Sequence, residues 1–351
     1  MSIVESNHYN IVIFIVIFVF SIILNFLMKK FQILVDKKEL YSHKSFIGNI
    51  EITPLSGGLI FFSTLIFFLP NNLLLFKVII SLIFLNGYLS DINLLKNPTK
   101  RILFQTFVIL VYLLISENFI SSIRIDFFDN LLNIFPINLL FTLFCILILI
   151  NGTNFIDGVN TSVAGYYLIV LLNVFYLAST KNLNLDFTLV FLSMIALIVI
   201  YMFNFFGKSY LGDNGSYLIS FVIGITLINF SNNNLLVSPY YIIALLWYPA
   251  FENLFSILRK IFLKKSPSSP DNDHLHQLIF LYLNKIFKIK KNTSNTMTGV
   301  LISLYHLIFL LVIFENFSHT KILVYFILVN IFFYNLLYFI LKKNLKVYNN
   351  G

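Results

Sequence analysis

The sequence Asn151-Gly-Thr-Asn-Phe-Ile-Asp-Gly-Val-Asn160 contains three amides, one carboxylate and two glycines. An almost unbroken apolar segment, residues 137–150, precedes it, and a second apolar segment, residues 163–177, follows it. Polar groups at the mouth of two membrane-length segments cost free energy unless they face water or a ligand. The stretch therefore predicts two membrane-spanning helices with a polar site where they meet.

The composition identifies the chain as an integral membrane protein. Of its 351 residues, 58% are hydrophobic and 11% are charged, whereas soluble domains are about 45–50% apolar and about 25% charged. The net charge of +9 would suit a nucleic-acid-binding protein, but the basic residues are sorted by loop, so we expect no nucleic-acid partner. The one cysteine, Cys145, excludes an internal disulfide.

The hydrophobic runs predict an all-α fold in which about eleven helices cross the bilayer. No soluble domain interrupts the runs, so residues 1–351 are expected to form a single polytopic membrane domain. The first run ends in lysines, and we expect it to be retained rather than cleaved as a signal peptide. The expected spans lie near residues 11–28, 55–70, 73–90, 102–116, 134–150, 159–179, 185–205, 215–230, 238–258, 297–314 and 320–341.

Charge placement predicts the orientation of these spans. Most of the 24 Lys and Arg residues fall in alternate connections, and an excess of such residues marks cytoplasmic loops. The N-terminus is therefore predicted outside and the C-terminus in the cytoplasm. The same connections gather the carboxylates and histidines Asp91, Asp157, Asp213, Asp271, Asp273, His43, His274 and His276. This clustering predicts an active site at the cytoplasmic face.

Two motifs carry oxygen ligands suited to magnesium. Asn151, Asn154 and Asp157 are spaced three residues apart, so a helical turn brings them onto neighbouring faces. Asp213 lies between two glycines just before the eighth span, where a helix N-terminus also favours an anionic ligand. The alternative interpretation of both motifs is cap and turn chemistry, with Gly158 ending a span and Asp-Asn-Gly-Ser forming an N-cap.

Two other segments are candidates for phosphate binding. Asp91 ends the third span and Lys100 begins the fourth, so that an acid and a cation would face one pocket. His274 and His276 follow a basic, proline-containing loop and fit a phosphate or nucleotide better than zinc, because no third zinc ligand is clustered with them. The alternatives are a charged hairpin and a solvated basic loop that binds anionic lipid headgroups.

Two further features are open to a functional or a structural interpretation. His43 follows Asp36 and Tyr41 in the first cytoplasmic connection, which leads into a glycine pair suited to close helix packing. Glu252 lies within the ninth span, where a buried acid is either functional or the partner of a neighbouring helix.

Four motifs follow one another along the chain. They are Gly87-x-x-Ser90-Asp91, Asn151-x-x-Asn154-x-x-Asp157-Gly158, Gly212-Asp213-x-Gly215-Ser216 and Pro270-Asp271-x-x-His274-x-His276. This set resembles the polyprenyl-phosphate N-acetylhexosamine 1-phosphate transferases, glycosyltransferase family 4. The resemblance covers about residues 36–280, the expected catalytic core, with residues 297–341 as peripheral helices. The span count and the His-x-His loop are more similar to WecA-type than to MraY-type members.

The resemblance implies a transfer reaction at the inner membrane of a bacterium, with the N-terminus periplasmic. Undecaprenyl phosphate would attack the β-phosphorus of a UDP-sugar and release UMP, and the sugar implied by the family is an N-acetylhexosamine. The product, undecaprenyl-diphospho-sugar, would initiate a cell-surface polysaccharide. Mg2+ is the implied cofactor, with Mn2+ as an alternative, and a homodimer is compatible with the sequence.

Matching positions assign the metal and the lipid phosphate. The resemblance implies that Asp213 and Asn154 hold magnesium. It places Asp91 at the lipid phosphate or the metal as a catalytic residue, with Lys100 helping to hold a phosphate. His43 matches a substrate-binding loop histidine of the WecA-type members.

Matching positions also assign the sugar nucleotide. The resemblance implies that Asp157 and Asn151 shape its pocket, Asp157 with a catalytic role. The catalytic histidines His274 and His276, with Arg259, would contact the diphosphate or stabilise its charge.

The chain departs from the family pattern at three places. Ser90 replaces the first residue of the usual Asp-Asp pair, Gln277 replaces a further histidine, and Asn160 and Thr161 replace a usual Asp-Gly. Ser90 and Gln277 leave an inactive scaffold open, and the many spans with the intramembrane Glu252 leave a membrane transporter open. An MraY-type phospho-MurNAc-pentapeptide transferase is the third alternative.

Overall fold

The computed structural model describes residues 3–36, 52–264 and 273–350, most of which are helical. His43 and Asp271 lie outside the described residues. The helices of the first half are α1 (Ile3–Phe31), α2 (Gly57–Phe68), α3 (Leu74–Asp91), α4 (Pro98–Ser116), α5 (Asp126–Leu132), α6 (Ile137–Ile156) and α7 (Ser162–Lys181). Those of the second half are α8 (Phe187–Phe205), α9 (Gly212–Asn232), α10 (Pro239–Leu245), α11 (Trp247–Phe262), α12 (Leu275–Lys285), α13 (Lys291–Ile313) and α14 (Thr320–Asn350).

The prediction of an all-α multi-pass membrane protein is confirmed. By length and composition, nine of the described helices are able to cross a membrane, and the bent pair α10–α11 is a tenth if it forms one span. All eleven predicted segments are helical, but α2 has only 12 residues. At 1.5 Å per residue, about 18 Å of helix is shorter than a hydrocarbon core of about 30 Å.

The ninth predicted span is broken at Leu246, where α10 and α11 meet at an angle of 73°. Pro249 has no backbone N–H and cannot donate to the carbonyl of Leu245, four residues earlier. The hydroxyl of Tyr166 donates to that carbonyl instead, at 2.8 Å. The break turns α11 in a new direction, so that its polar side chains approach the end of α6.

Helix α9 is the centre of the bundle. Of its apolar window, 89% is buried, a larger share than in any other described span, and it packs against α2, α3 and α6. Two glycines allow the closest approaches. A Cβ at Gly87 would lie 2.3 Å from the Cα of Asn214, and a Cβ at Gly58 would lie 2.4 Å from the backbone nitrogen of Gly215. The first turn of α9 is therefore enclosed by α2 and α3.

A two-stranded antiparallel ribbon closes one side of this region. Strand β1 (Val35–Asp36) pairs with β2 (Thr53–Pro54), with Asp36 opposite Thr53. The carbonyl of Pro54 accepts a hydrogen bond from the backbone N–H of Tyr210 at 2.9 Å. This bond fixes the ribbon beside the loop that leads into α9.

Helix α12 is amphipathic rather than membrane-spanning, and it packs against both α13 and α14. It begins at Leu275, directly after His274. Helices α13 and α14, which the sequence places outside the catalytic core, therefore support the segment that carries the histidines.

Candidate active site

The N-terminus of α9 is held by the carboxylate of Asp91, at the C-terminal end of α3. Asp91 accepts hydrogen bonds from the backbone N–H groups of Asp213 at 2.9 Å and of Asn214 at 3.0 Å. These first-turn donors have no partner within their own helix. Gly212 has φ +77°, and a Cβ there would lie 2.8 Å from the carboxylate of Asp91. Asp91 therefore fixes the position of Asp213.

The carboxylate of Asp213 lies in a polar cluster between α3, α4 and α9. Its Oδ2 accepts hydrogen bonds from the hydroxyl of Ser90 at 2.6 Å and from Arg101 at 2.8 Å. Arg101 also donates to the Ser90 hydroxyl at 2.7 Å and to the Tyr217 hydroxyl at 3.3 Å. Ser90, which replaces the first residue of the usual Asp-Asp pair, is thus a neutral donor to Asp213, and a carboxylate at this position would add a like-charge contact.

The cation in this cluster is Arg101, whereas the sequence singled out its neighbour Lys100. Asn97 caps α4 by accepting the backbone N–H of Thr99 at 2.9 Å. With the start of the helix set in this way, Arg101 is directed toward α9 and Lys100 is exposed. Successive residues of a helix point in directions that differ by roughly 100°, so the two cannot share a role. The phosphate contact expected of Lys100 stays a prediction.

Helix α6 carries the predicted amides and carboxylate. The Oδ1 of Asn154 accepts a hydrogen bond from the hydroxyl of Ser216 at 3.3 Å, which places Asn154 against the first turn of α9. Asn151 donates to the carbonyl of Leu147 in its own helix at 2.8 Å. Asp157 follows the last residue of α6 as its C-cap. Of the three, Asn154 is the nearest neighbour of the Asp213 cluster.

A cleft of about 60 Å³ separates the ends of α6 and α9. We call it the central cleft. The residues that line it include Asp36, Asp157, Gly158, Tyr210 and Gly212. Gly212 leads directly into Asp213. The central cleft therefore brings the predicted sugar-nucleotide residue Asp157 close to the predicted metal ligand.

The histidine segment lies on the Gly158 side of the central cleft. A Cβ at Gly158 would lie 2.1 Å from Nε2 of His276, so only glycine fits there beside the ring. His276 is fully buried, and neither ring nitrogen has a hydrogen-bond partner within the described residues. Burial, with a smaller effect of the neighbouring His274, lowers the pKa of His276 to about 3. A ring with this pKa is neutral near pH 7, and the catalytic contact expected of His276 stays a prediction.

His274 is held by a carboxylate. Its Nδ1 lies 2.9 Å from Oε1 of Glu252 on α11, and its ring packs on Phe155 of α6 at a centroid distance of 5.2 Å. The side chain of Gln277 accepts the backbone N–H of His274 at 3.1 Å. Gln277 thus completes a capping box at the start of α12, which gives one of the departures from the family pattern a structural role.

Arg259 braces the histidine segment from behind. It donates to the carbonyl of Asp273 and to the hydroxyl of Tyr338 on α14, the latter at 3.2 Å. Lys342 of α14 forms an ion pair of 2.9 Å with the carboxylate of Asp273. Arg259 thus holds the residue before His274, while the diphosphate contact expected of it stays a prediction.

Sequence reasoning missed two members of this arrangement. In the sequence, Arg101 is one of two adjacent basic residues. Choosing between them requires knowing the residue at which α4 begins. Tyr334, which donates to Glu252 at 2.8 Å, lies in a helix that no motif marks. Glu252 itself was noticed as an intramembrane acid, but its partner was not.

The chain is similar to proteins of known name. Residues 73–231 match the family model described as Glycosyl transferase family 4. A probable undecaprenyl-phosphate N-acetylglucosaminyl 1-phosphate transferase of Bacillus subtilis (strain 168) is 30% identical over 180 residues, 47% of this chain and 49% of that protein. The alignment thus spans about half the length of that relative.

Two further relatives are more distant but are covered over more of their length. An undecaprenyl-phosphate alpha-N-acetylglucosaminyl 1-phosphate transferase of Salmonella typhi is 26% identical over 284 residues, 75% of this chain and 74% of that protein. A protein of the same name from Thermotoga maritima is 25% identical over 234 residues, 67% of this chain and 70% of that protein.

Proposed function

We propose that this protein transfers a sugar 1-phosphate from a UDP-sugar to undecaprenyl phosphate, since residues 73–231 match the family model described as Glycosyl transferase family 4. The relatives from Bacillus, Salmonella and Thermotoga are all named as transferases of N-acetylglucosamine 1-phosphate to this lipid. An N-acetylhexosamine is therefore the sugar we propose, and the lipid product would initiate a surface polysaccharide at the cytoplasmic face.

One observation carries the proposal. The Asp213 cluster, with its cation Arg101, directly follows Gly212, and the histidine segment contacts Gly158 through His276; both glycines line the central cleft. Two anionic substrates must approach each other in this reaction, so cations are needed to offset their repulsion. In phosphoryl transfer a protein mainly positions its substrates and neutralises their charge. These side chains are suited to both tasks.

The reaction breaks one bond in the diphosphate. A phosphate oxygen of the lipid forms a bond to the β-phosphorus, and the bond from the β-phosphorus to the bridging oxygen breaks. That oxygen leaves with UMP, so the sugar keeps its phosphate. A phosphate monoester is already largely ionised near neutral pH, so no side chain has to remove a proton from the nucleophile. This removes the need for a second carboxylate at Ser90.

We propose that Asp213 and Asn154 hold Mg2+. Both offer the hard oxygen ligands that this ion prefers, and both contact the Ser216 hydroxyl, Asp213 through its backbone carbonyl. Within the described chain, the hydrogen bonds to the Asp213 carboxylate all go to Oδ2, which leaves Oδ1 for a ligand. When bound, the ion would neutralise charge on the diphosphate.

Among the described residues, no group of three His, Cys, Asp or Glu side chains is arranged to hold a metal. The other ligands of Mg2+ would then be water and substrate oxygens, which is how this ion is commonly bound. We therefore expect the affinity for Mg2+ to rise when the UDP-sugar is present.

Arg101 and Lys96 provide a matched pair of variants in the same connection. Arg101→Gln is expected to lower the rate of UMP release roughly 10- to 100-fold, because one charge-stabilising group at the site is lost. Lys96→Gln is expected to change the rate less than about 3-fold, since this side chain is exposed. Initial rates measured with saturating Mg2+ distinguish the two. Equal losses for both variants would show that Arg101 has no special role.

The proposal is tested with purified protein in detergent, undecaprenyl phosphate and a panel of UDP-sugars, with and without Mg2+. The panel contains UDP-GlcNAc, UDP-GalNAc and UDP-MurNAc-pentapeptide, so it also separates the WecA-type from the MraY-type reaction. We expect Mg2+-dependent product with an N-acetylhexosamine donor. Folded protein that gives no product with any member would favour the inactive scaffold.

A further inference from the structure

Glu252 is a fully buried carboxylate on α11, and both of its oxygens are engaged. Oε1 lies 2.9 Å from Nδ1 of His274 and 3.4 Å from the backbone nitrogen of Leu275. Oε2 accepts the hydroxyl of Tyr334, on α14, at 2.8 Å. A buried charge is costly unless it is paired and hydrogen-bonded, so this set of contacts fixes where the carboxylate and its imidazole partner lie.

The imidazole held in this way lies beside the segment of α6 that carries the proposed site residues. Its ring packs against Phe155, the residue after Asn154. It also stacks on the ring of His276, with centroids 5.6 Å apart and planes inclined by 12°. The ring is thus fixed from α6, α11 and α12 at the side of the central cleft.

The contact with Glu252 determines which ring nitrogen faces a ligand. An ionised carboxylate only accepts hydrogen bonds, so Nδ1 of His274 carries the proton. Nε2 is then the nitrogen that is available to substrate. A carboxylate on Nδ1 also stabilises the protonated ring, as an aspartate does in hydrolase triads. A protonated ring donates from Nε2 to an anionic oxygen.

We propose that Glu252, supported by Tyr334, is a positioning residue that fixes His274 with Nδ1 protonated and stabilises the imidazolium that donates to the departing oxygen of UMP. This inference rests on the proposed function. Tyr334 belongs to α14, outside the matched residues 73–231. The C-terminal helix that the sequence assigned to the periphery therefore contributes to the geometry of the active site.

A pH test requires an account of the other groups around the pair. The titratable and charged side chains around it are Tyr248, Arg259, Lys260, Asp273, His276, Tyr334, Tyr338 and Lys342. His276 is excluded as a titrating group near neutrality, because burial lowers its pKa to about 3. The informative quantity is therefore the displacement of a limb of the rate profile between the wild type and a variant, not its absolute pH.

The decisive variant is Glu252→Gln, which keeps the size of the side chain and an oxygen that accepts from Nδ1. We expect kcat to fall roughly 10- to 100-fold, the usual effect of replacing a residue that orients a functional histidine through a hydrogen bond. KM is expected to stay nearly unchanged. The limb in which activity falls as pH rises is expected to move to lower pH, because the protonated ring has lost its carboxylate. A limb that stays in place would overturn the inference.

Tyr334→Phe provides a second, milder variant. It removes one donor to Glu252 but leaves the carboxylate and its contact with His274, so a smaller shift of the same limb is expected. Tyr305→Phe is the matched control, because the Tyr305 hydroxyl also bonds to α14, at Asn330, away from Glu252. Tyr305→Phe is expected to leave the profile unchanged, and equal profiles for both tyrosine variants would contradict the inference.

The outcomes separate this inference from the proposed function. A wild-type protein that releases no UMP contradicts the proposed function itself. An active wild type whose Glu252→Gln and Tyr334→Phe variants keep the wild-type pH limb contradicts only the role of Glu252. If Glu252→Gln does not fold, the limb of Tyr334→Phe relative to Tyr305→Phe decides the question.

Discussion

Replacing Asp213 by asparagine is expected to reduce the rate of UMP release by a factor on the order of 10³, comparable to the loss of a group that stabilises charge in a transition state. The variant removes the proposed carboxylate ligand of Mg2+. It also removes the negative charge that lies 2.8 Å from Arg101 in the structure. Both effects disturb the neutralisation of the diphosphate, and both follow from one carboxylate.

Asp186→Asn is the matched control for this experiment. Asp186 also lies at a helix N-terminus, where its Oδ1 accepts the backbone N–H of Leu189 at 2.9 Å. It is the N-cap of α8, and it is the opposite end of α8 that leads toward α9. We expect near wild-type activity from Asp186→Asn. Full activity of Asp213→Asn, with an unchanged dependence on Mg2+ concentration, would exclude Asp213 as a metal ligand.

Gly87→Ala is expected to destabilise the protein by about 1–3 kcal/mol, the usual cost of overpacking, and to lower activity in proportion to the displacement of α9. The added Cβ would lie 2.3 Å from the Cα of Asn214 and 2.6 Å from the carbonyl oxygen of Asp213. These are backbone atoms, which cannot rotate away. Either α3 or the first turn of α9 must move, and the contact of Asp91 with Asp213 moves with it.

Thermal unfolding in detergent and UMP release measure the two effects of Gly87→Ala. The control is Gly224→Ala in the middle of α9, where an added Cβ would meet only the end of the Leu149 side chain, at 3.1 Å. A flexible side chain adjusts at little cost, so we expect a smaller loss of stability. Equal unfolding temperatures for the two variants would show that the approach of α3 to α9 is not tight.

Much of the fold could be predicted, because apolar runs of the length of a bilayer determine where helices form. Two features required the structure. The run around Leu246 is continuous in hydropathy, so its break was hidden, although Pro249 marks the place. The 12-residue helix α2 was extended in the prediction because the apolar residues on either side of it continue the run.

The site was predicted in outline for a similar reason. Motif residues at helix ends on the same side of the membrane are expected to lie close together. Asp91 and Asn154 do lie at the first turn of α9, which carries Asp213. Side-chain direction could not be predicted in the same way. Whether Arg101 or Lys100 faces α9 depends on the residue at which α4 begins. A shift of this start by a single residue would exchange the two.

Partnerships across the chain were also beyond the sequence. Glu252 meets a histidine 22 residues later and Tyr334 82 residues later. No periodicity joins such positions, because the contact depends on how α11 turns after its break and on where α14 packs. The burial of His276 is likewise a property of packing against Gly158, which the motif alone does not reveal.

The measurement that tests the central claim most directly is the identity of the nucleotide released. Purified protein is given undecaprenyl phosphate, Mg2+ and the accepted UDP-sugar, and the products are identified by mass spectrometry. The account predicts UMP together with undecaprenyl-diphospho-sugar, because the bond that breaks lies between the β-phosphorus and the bridging oxygen. Release of UDP with undecaprenyl-phospho-sugar would contradict it, since the protein would then transfer the sugar without its phosphate.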